Sequence, residues 1–379
     1  MTLSWVIAGG GTGGHVTMAI ALAEALQRRD QRVLVLGSQS GLETELVPKA
    51  GFELVALSSH QVMGRGLLGS LSGALGIAIA AFSARRVLKG CRADAVISVG
   101  GYAAMPSMLA AVSLKIPIAL VEPNAIPGRV NRLTARFARL VFPGFEITAE
   151  RLGAQSRSHS LGVPLRESLV EAFDRPGERR AAAAPFRLLV FGGSQGARQI
   201  NEAMMAAAPG LADLEIEIFH SAGDADRDRV AERYEDAGVR AETVAFEPDL
   251  PARYRWADIA ICRAGALTIA ELALAGLPAL LVPYPYASDD HQAANALELE
   301  KLGAARRLTG LEEPLTGGER VTSALREIFA HPERLRAMGT AARGMARPQA
   351  AREVVDTCMT KMFPEHAPAA AGDPGGPST

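Results

Sequence analysis

The stretch "GGGTGGH", Gly9 to His15, sets five glycines around one threonine, between an apolar run from Leu3 to Ala8 and a helical pattern from Met18 to Arg28. Strand, glycine loop and helix in that order build an anion site: the bare loop lets a ligand reach the backbone, and the helix start offers free N–H groups and a favourable dipole. The plainer alternative is a tight turn that holds no guest. The pattern recurs where "FRLLV", Phe186 to Val190, runs into "FGGSQGARQIN".

A second pair of segments repeats as well. "ADAVISVGGYAAMPSMLAAVSLKIPIALVEPN" and "ADIAICRAGALTIAELALAGLPALLVPYP" each open a strand at an aspartate, Asp94 or Asp258, and lead through a glycine turn and an alanine-rich helix to a proline. The spacing from Asp94 to Pro117 is 23 residues and from Asp258 to Pro278 it is 20. Apolar runs too short for helices, alternating with helical patterns, specify parallel strands covered on both faces. The expected fold class is therefore α/β, with two doubly wound Rossmann-like domains whose loops face a shared cleft. The joint falls in "LGVPLRES", Leu161 to Ser168, which divides the chain into domains 1–163 and 164–342. A helix at about 343–362 is expected to cross back to the first domain, and residues 363–379, poor in large apolar groups, form a disordered tail.

Bulk properties narrow the partners. A chain of 379 residues suits two cores, and 48% apolar with 21% charged residues is a globular composition. Residues 1–163 hold 16 Lys+Arg against 9 Asp+Glu, and residues 164–379 hold 24 against 32. The basic half favours an anionic surface or ligand. No basic run with interleaved aromatics suggests nucleic acid. Cys91, Cys262 and Cys358 are too scattered for a disulfide framework or a zinc site, and no run reaches the roughly 20 apolar residues of a spanning helix. A location inside the cell is expected.

Gly9, Gly11 and Gly14 satisfy G-x-G-x-x-G, which raises a dinucleotide oxidoreductase as one reading. Such enzymes carry an acid at the end of the second strand to hold a ribose, and here "RVLVLGSQSG" ends in Gly37 and Ser38. "GDADRD", with Asp224, Asp226 and Asp228, offers a metal-binding alternative, against which an exposed loop is preferred, since hard cations need several fixed oxygens.

Taken together, "GGGTGGH", "GGYAAMP", "FGGSQGARQIN", "CRAGALTIAELALAGLPALLVPYP" and "DDHQAANA" closely resemble the MurG family of peptidoglycan N-acetylglucosaminyltransferases, over about residues 4 to 360. The resemblance implies the two-domain GT-B fold and inverting transfer of GlcNAc from UDP-GlcNAc to the 4-hydroxyl of the muramic sugar of lipid I, giving lipid II. It implies no metal and no cofactor. It also implies a peripheral place on the cytoplasmic side of the cell membrane, with the first domain facing the acceptor and an anionic membrane surface, and the second holding the donor. By the same resemblance Thr12, Gly13 and Gly14 contact UDP-GlcNAc, as do Asn124, Arg166 in the joint and Ser194 in the second glycine loop. Phe246 and Glu247 fall where the family lines its uracil pocket, Glu271 takes the ribose hydroxyls, and Gln292, beside His291, reads the sugar hydroxyls. Ala266, Leu267, Thr268, Ile269 and Ala270 open a helix whose N–H groups hold the diphosphate as UDP departs.

His15 is the candidate catalytic base, since a hydroxyl is a poor nucleophile until its proton is taken and a helix N-terminus keeps an imidazole neutral. A histidine that only hydrogen-bonds the loop is the alternative. "GRGLLGSLSGALGIAIAAFSARRVLKG" places Leu67, Leu71, Leu75, Ile79 and Phe82 near helical spacing before Arg85, Arg86 and Lys89, a stripe fit either for an anionic leaflet or for packing on its own sheet. The chain departs from the family at Val121 and Pro123, where H-E-Q-N is usual, at Val163 in the joint, and at Thr17 and Met18 after His15. These departures leave room for a paralogue with another lipid-linked acceptor, or for a UDP-sugar sensor without catalysis.

Overall fold

The computed structural model describes residues 2–57, 67–174, 182–192, 197–285 and 290–366, with the backbone alone for 67–74 and 366. Ser194 lies outside the described residues, as do Leu67 and Leu71 for their side chains and nearly all of the expected tail.

The first sheet is built from β1 (Ser4–Gly9), β2 (Arg32–Ser38), β3 (Leu54–Leu57), β4 (Ala95–Gly100), β5 (Ile118–Glu122) and β6 (Leu140–Pro143), in the order β3-β2-β1-β4-β5-β6. The second holds β7 (Phe186–Phe191), β8 (Ile216–Ser221), β9 (Ala241–Val244), β10 (Ile259–Cys262), β11 (Ala279–Leu281) and β12 (Ala305–Arg307), in the order β9-β8-β7-β10-β11-β12. Counted within its own half, each sheet reads 3-2-1-4-5-6, the doubly wound order, and every pairing is parallel. The duplication visible in sequence is a duplication of fold.

Why these runs become strands is plain from burial. All six residues of β1 and of β4 are buried, and successive residues serve opposite cores. Trp5 and Ile7 join one apolar cluster, and Val6 and Ala8 join the other. Leu188 and Val190 are divided from Leu189 and Phe191 in the same way across the second sheet. Register is regular except between Ala8 and Gly9, where β1 shifts against β4 as it enters the glycine loop.

Helices cover both sheets: α1 (Gly13–Gln27), α2 (Glu43–Lys49), α3 (Leu67–Gly90), α4 (Ala104–Leu114), α5 (Arg129–Thr134) and α6 (Glu146–Arg151) in the first half. After the joint come α7 (Glu167–Asp174), α8 (Arg198–Leu211), α9 (Arg227–Asp236), α10 (Leu250–Trp256), α11 (Ala266–Ala275), α12 (His291–Lys301) and α13 (Pro314–Phe329). The last two are α14 (Pro332–Gly344) and α15 (Ala350–Met362). The stretch at 343–362 is thus two helices meeting near Pro348, a residue that cannot donate to a continuing helix. Helix α15 lays Val354, Val355 and Cys358, all fully buried, into the first-domain core that α1 also fills. Arg29, in the turn after α1, pairs with Asp356, and Phe363 meets Trp5 edge-on at 5.6 Å.

Two apolar residues of α11, Leu267 and Ala270, pack on the first-domain core although they belong to the second half. Asn295 of α12 is wholly buried between the lobes, accepting from Ala125 N at 2.8 Å and donating to Asn124 Oδ1 at 3.0 Å.

Candidate active site

Strand ends from both sheets open on a cleft of about 750 Å³ bordered by Thr12, Gly14 and His15 of the first lobe and by Thr268, His291 and Gln292 of the second. Helix α1 starts at Gly13, earlier than its apolar pattern suggests, so that Thr12 takes the cap position with extended φ and ψ and His15 stands in the first turn. Thr12 Oγ1 lies 2.7 Å from His15 Nδ1. When Nδ1 donates to Thr12, Nε2 carries the free lone pair. Burial, with a smaller contribution from His291 opposite, lowers the His15 pKa to about 4, against an opposing pull from Glu43.

The glycines that follow β4 bring a second loop against the first. Gly101 has φ of +77°, and a Cβ there would overlap Gly10 O and come within 3.4 Å of His15 Nδ1. A side chain at this position would drive the loops apart. Tyr102, next in line, borders the cleft and places its hydroxyl 3.3 Å from Ser38 Oγ.

On the first-lobe side of the cleft stands Glu122, 2% exposed at the end of β5. Its carboxylate accepts from Asn124 N, Asn124 Nδ2, Gly128 N and Asn131 Nδ2. Burial outweighs those bonds and raises its pKa above the ordinary carboxylate value. Asn131 Oδ1 is buried with no hydrogen-bond partner. The two departures in this segment differ in consequence: Val121 is a core residue, whereas Pro123 lines the cleft.

Helix α11 distributes its residues by helical period. Ala266, Leu267 and Thr268 border the cleft, while Ile269 and Ala270 line a separate cavity behind it at the joint, which Ala266 also touches. Glu271 turns inward, where Tyr254 donates to it at 2.7 Å. Burial raises the Glu271 pKa, and the Tyr254 bond and the Arg166 charge oppose that rise. Gln292 borders both the cleft and a neighbouring second-lobe cavity of about 960 Å³, and its Oε1 accepts from Tyr284 N at 3.0 Å.

Other residues singled out by sequence lie apart from the cleft's lining. Phe246 is exposed, and Glu247 holds Arg253 at 2.8 Å and caps Asp249 N. Asn124 lines the cleft, yet both ends of its amide are engaged, one by Asn295 and the other by Glu122. The "GDADRD" loop is only partly exposed as expected: Asp226 is buried, bound by Asn201 and Arg229, because Asn201 also anchors the inaccessible His220. Among the described residues no three His, Cys, Asp or Glu side chains converge as metal ligands.

Residues 5–143 match the glycosyltransferase family 28 N-terminal domain, and residues 187–354 match its C-terminal domain. The UDP-N-acetylglucosamine–N-acetylmuramyl-(pentapeptide) pyrophosphoryl-undecaprenol N-acetylglucosamine transferase of Myxococcus xanthus is 40% identical over 94% of this chain and 92% of its own. The chain belongs to the MurG family. The corresponding transferase of Stutzerimonas stutzeri is 41% identical over 95% of this chain and 99% of its own. Among solved structures, Acinetobacter baumannii MurG superposes with a TM-score of 0.76 at 32% identity, covering 93% of this chain and 98% of that one. The protein is a GT-B glycosyltransferase with two Rossmann-like domains.

Tyr102, Glu122, Asn131, Tyr254 and Asn295 belong to the site's construction. Tyr102, Glu122 and Asn295 fall in segments that match the family or keep its residue, but their sequence context gives them no role, and Asn131 and Tyr254 lie outside every quoted motif. A Tyr inside α10 carries no local pattern that separates it from an ordinary helix residue. The partners of Asn295 and Tyr254 are residues distant in the chain.

Proposed function

We propose that this chain transfers GlcNAc from UDP-GlcNAc to the muramic 4-hydroxyl of lipid I with inversion, forming lipid II for peptidoglycan. The observation that carries this reading is the meeting of His15, the start of α11 and Gln292 on one cleft between two lobes. His15 Nε2 takes the acceptor's hydroxyl proton as the oxygen attacks the anomeric carbon, and UDP leaves with the bonding electrons. The N–H groups at the start of α11 meet the charge growing on the diphosphate, where Gly265 caps the helix. Glu271 offers the ribose the oxygen that Tyr254 does not hold, Arg166 lies within electrostatic reach of it, and Gln292 faces the sugar.

The acceptor's lipid calls for a membrane-facing surface, and the first lobe carries a suitable one. On α3 the residues packed inward are Ala80, Ala84 and Leu88, while Leu75, Ile79 and Phe82 are 63%, 56% and 57% exposed. Arg86 lies over the Phe82 ring at 4.6 Å. Exposed Leu133 and Phe137 repeat the motif, with Arg136 over the ring at 4.7 Å, and their neighbours Arg129, Val130 and Asn131 line the cleft. Apolar groups flanked by cations suit an anionic leaflet, and a surface sharing α5 with the cleft brings a lipid-linked diphosphate to the base. No helix among the described residues is long and apolar enough to cross a membrane.

The test is turnover of UDP-GlcNAc with a lipid I analogue, with and without a chelator. UDP release that requires the acceptor and persists in chelator is expected. Release without acceptor, or none with it, overturns the proposal.

A further inference from the structure

Beneath the first glycine loop lies a carboxylate that the transfer reaction does not use. Glu43, the first residue of α2, is 1% exposed. Three donors converge on it: Gly11 N at 3.0 Å, Ser38 N at 2.8 Å and Ser38 Oγ at 2.7 Å. The surrounding backbone is cleared for this one side chain. A Cβ at Gly10 or Gly41 would overlap the carboxylate, and one at Gly37 would come within 2.7 Å of its Cγ. Glycines from three separate places in the chain, the loop after β1, the end of β2 and the turn before α2, thus share one reason to be glycine.

The placement has a consequence for how the loop works. The Gly11 N–H points to Glu43, so an arriving diphosphate meets a loop in which that donor is already occupied. A carboxylate held by three donors is stable as the anion, whereas the isosteric amide would set an N–H against N–H groups. The same anion is the partner that pulls the His15 imidazole toward a higher pKa, while burial and His291 push it down. Ser38 Oγ extends the contact to the Tyr102 hydroxyl on the facing loop.

We infer that Glu43 is a positioning residue for the transfer reaction: its buried carboxylate fixes the Gly9–His15 loop from below and so sets where His15 stands. The inference rests on the reading of His15 as base. Besides Glu43, the titratable groups that share the cleft with His15 among the described residues are His291 of α12, Tyr102 of the loop after β4, Glu122 at the end of β5 and Arg129 of α5. Thr12, Gly13 and Gly14 are donor contacts within the loop itself, but the groups proposed to hold the uracil, ribose and diphosphate, Phe246, Glu247, Glu271 and the start of α11, belong to the other lobe, so loss of Glu43 should spare most of the UDP contacts.

The experiment compares Glu43→Gln with the wild-type full chain in kcat, UDP affinity and the NMR titration of His15. The expected result is a kcat lower by about tenfold or more, UDP affinity within twofold, and a His15 titration moved to lower pH. A kcat within twofold of wild type, or an unmoved His15 titration, overturns the inference. Should Glu43→Gln fail to fold, as loss of UDP binding would reveal, Ser38→Ala decides. It removes one of the three donors and keeps the charge, and a kcat lowered about threefold at unchanged UDP affinity supports the inference, whereas a wild-type kcat ends it. His15→Ala run alongside keeps the two readings distinguishable: full turnover there removes His15 as base, while the response of kcat to Glu43→Gln is read separately.

Discussion

At the scale of single residues, the base role proposed for His15 asks that its imidazole be neutral and correctly oriented at the same time. Neutrality comes from burial, which sets its pKa at about 4, and orientation from Thr12 Oγ1, which engages Nδ1. The acid limb of kcat/KM in the free enzyme should therefore fall near pH 4 and not near the usual histidine value of about 6.5. A pH–rate profile checks this, and a limb at 6.5 argues against His15 as the titrating base. His15→Ala should lower kcat by about a hundredfold or more while UDP binding stays intact. Stability follows the same sign. The folded pKa values of His15 and His220, about 4 and about 3, lie below the unfolded value, so the unfolded chain alone binds those protons between about pH 6.5 and 4. The melting temperature should fall as pH drops through that window, and Ser, Asn or Gln at position 220 should flatten the fall. Of these residues, the place of His15 on the cleft was legible because a histidine ending a glycine loop sits at a helix start beside the strand ends. Tyr254 was not, since its value lies in one 2.7 Å bond to a carboxylate 17 positions later, on a different helix.

Helices and strands carry a different kind of information. The spacing of Leu75, Ile79 and Phe82 marks one face of α3, but spacing is the same for a face turned to a sheet and a face turned to lipid. The opposite face is the packed one, where Ala80, Ala84 and Leu88 are fully buried, so the stripe is not turned to its own sheet. Two alanines announce little as a core, so the sequence leaves the inward face open, and packing against α4 shows which face it is. With the outward stripe in place, changing Leu75, Ile79 and Phe82 together to serine should weaken binding to anionic vesicles by at least about tenfold, on the transfer energies of partly buried apolar side chains. Turnover of a short-chain soluble acceptor should be spared. Equal losses on both acceptors would place the stripe's role in folding. Helix α11 shows the complementary case: its glycine-led start borders the cleft as expected, yet the period of 3.6 sends Ile269 and Ala270 to the joint cavity and Glu271 inward. A contiguous segment in sequence is three environments in space.

The whole molecule is two copies of one strand order sewn together at the joint, at the buried Asn295, along Leu267 and Ala270 of α11, and by α15. The repeat was legible from matched strand, glycine-turn and helix segments, because local chemistry is repeated with the architecture, and the joint and the returning helix were expected from the sequence as well. The contacts of Asn295 and α11 across the lobes were not, since they join residues more than a hundred positions apart. Helix α15 illustrates the weight of such seams. It buries Val354, Val355 and Cys358 beside Trp5 and Ile20, Arg352 pairs with Glu167 at the joint, and Arg28, which caps the end of α1, reaches the same glutamate at 3.7 Å. Ending the chain after Gly344 uncovers that face of the first core while leaving both apolar clusters of the second sheet nearly whole. Loss of several buried aliphatic side chains, each contributing about 2 to 5 kcal/mol, exceeds the margin of an ordinary domain. The truncated chain should therefore lose the first lobe's unfolding transition and keep the second's, and UDP should still raise the transition that remains by mass action. Calorimetry with and without UDP reads both. If the truncated chain retains two transitions, α15 is an ornament on the first lobe and its stability must come from the sheet alone.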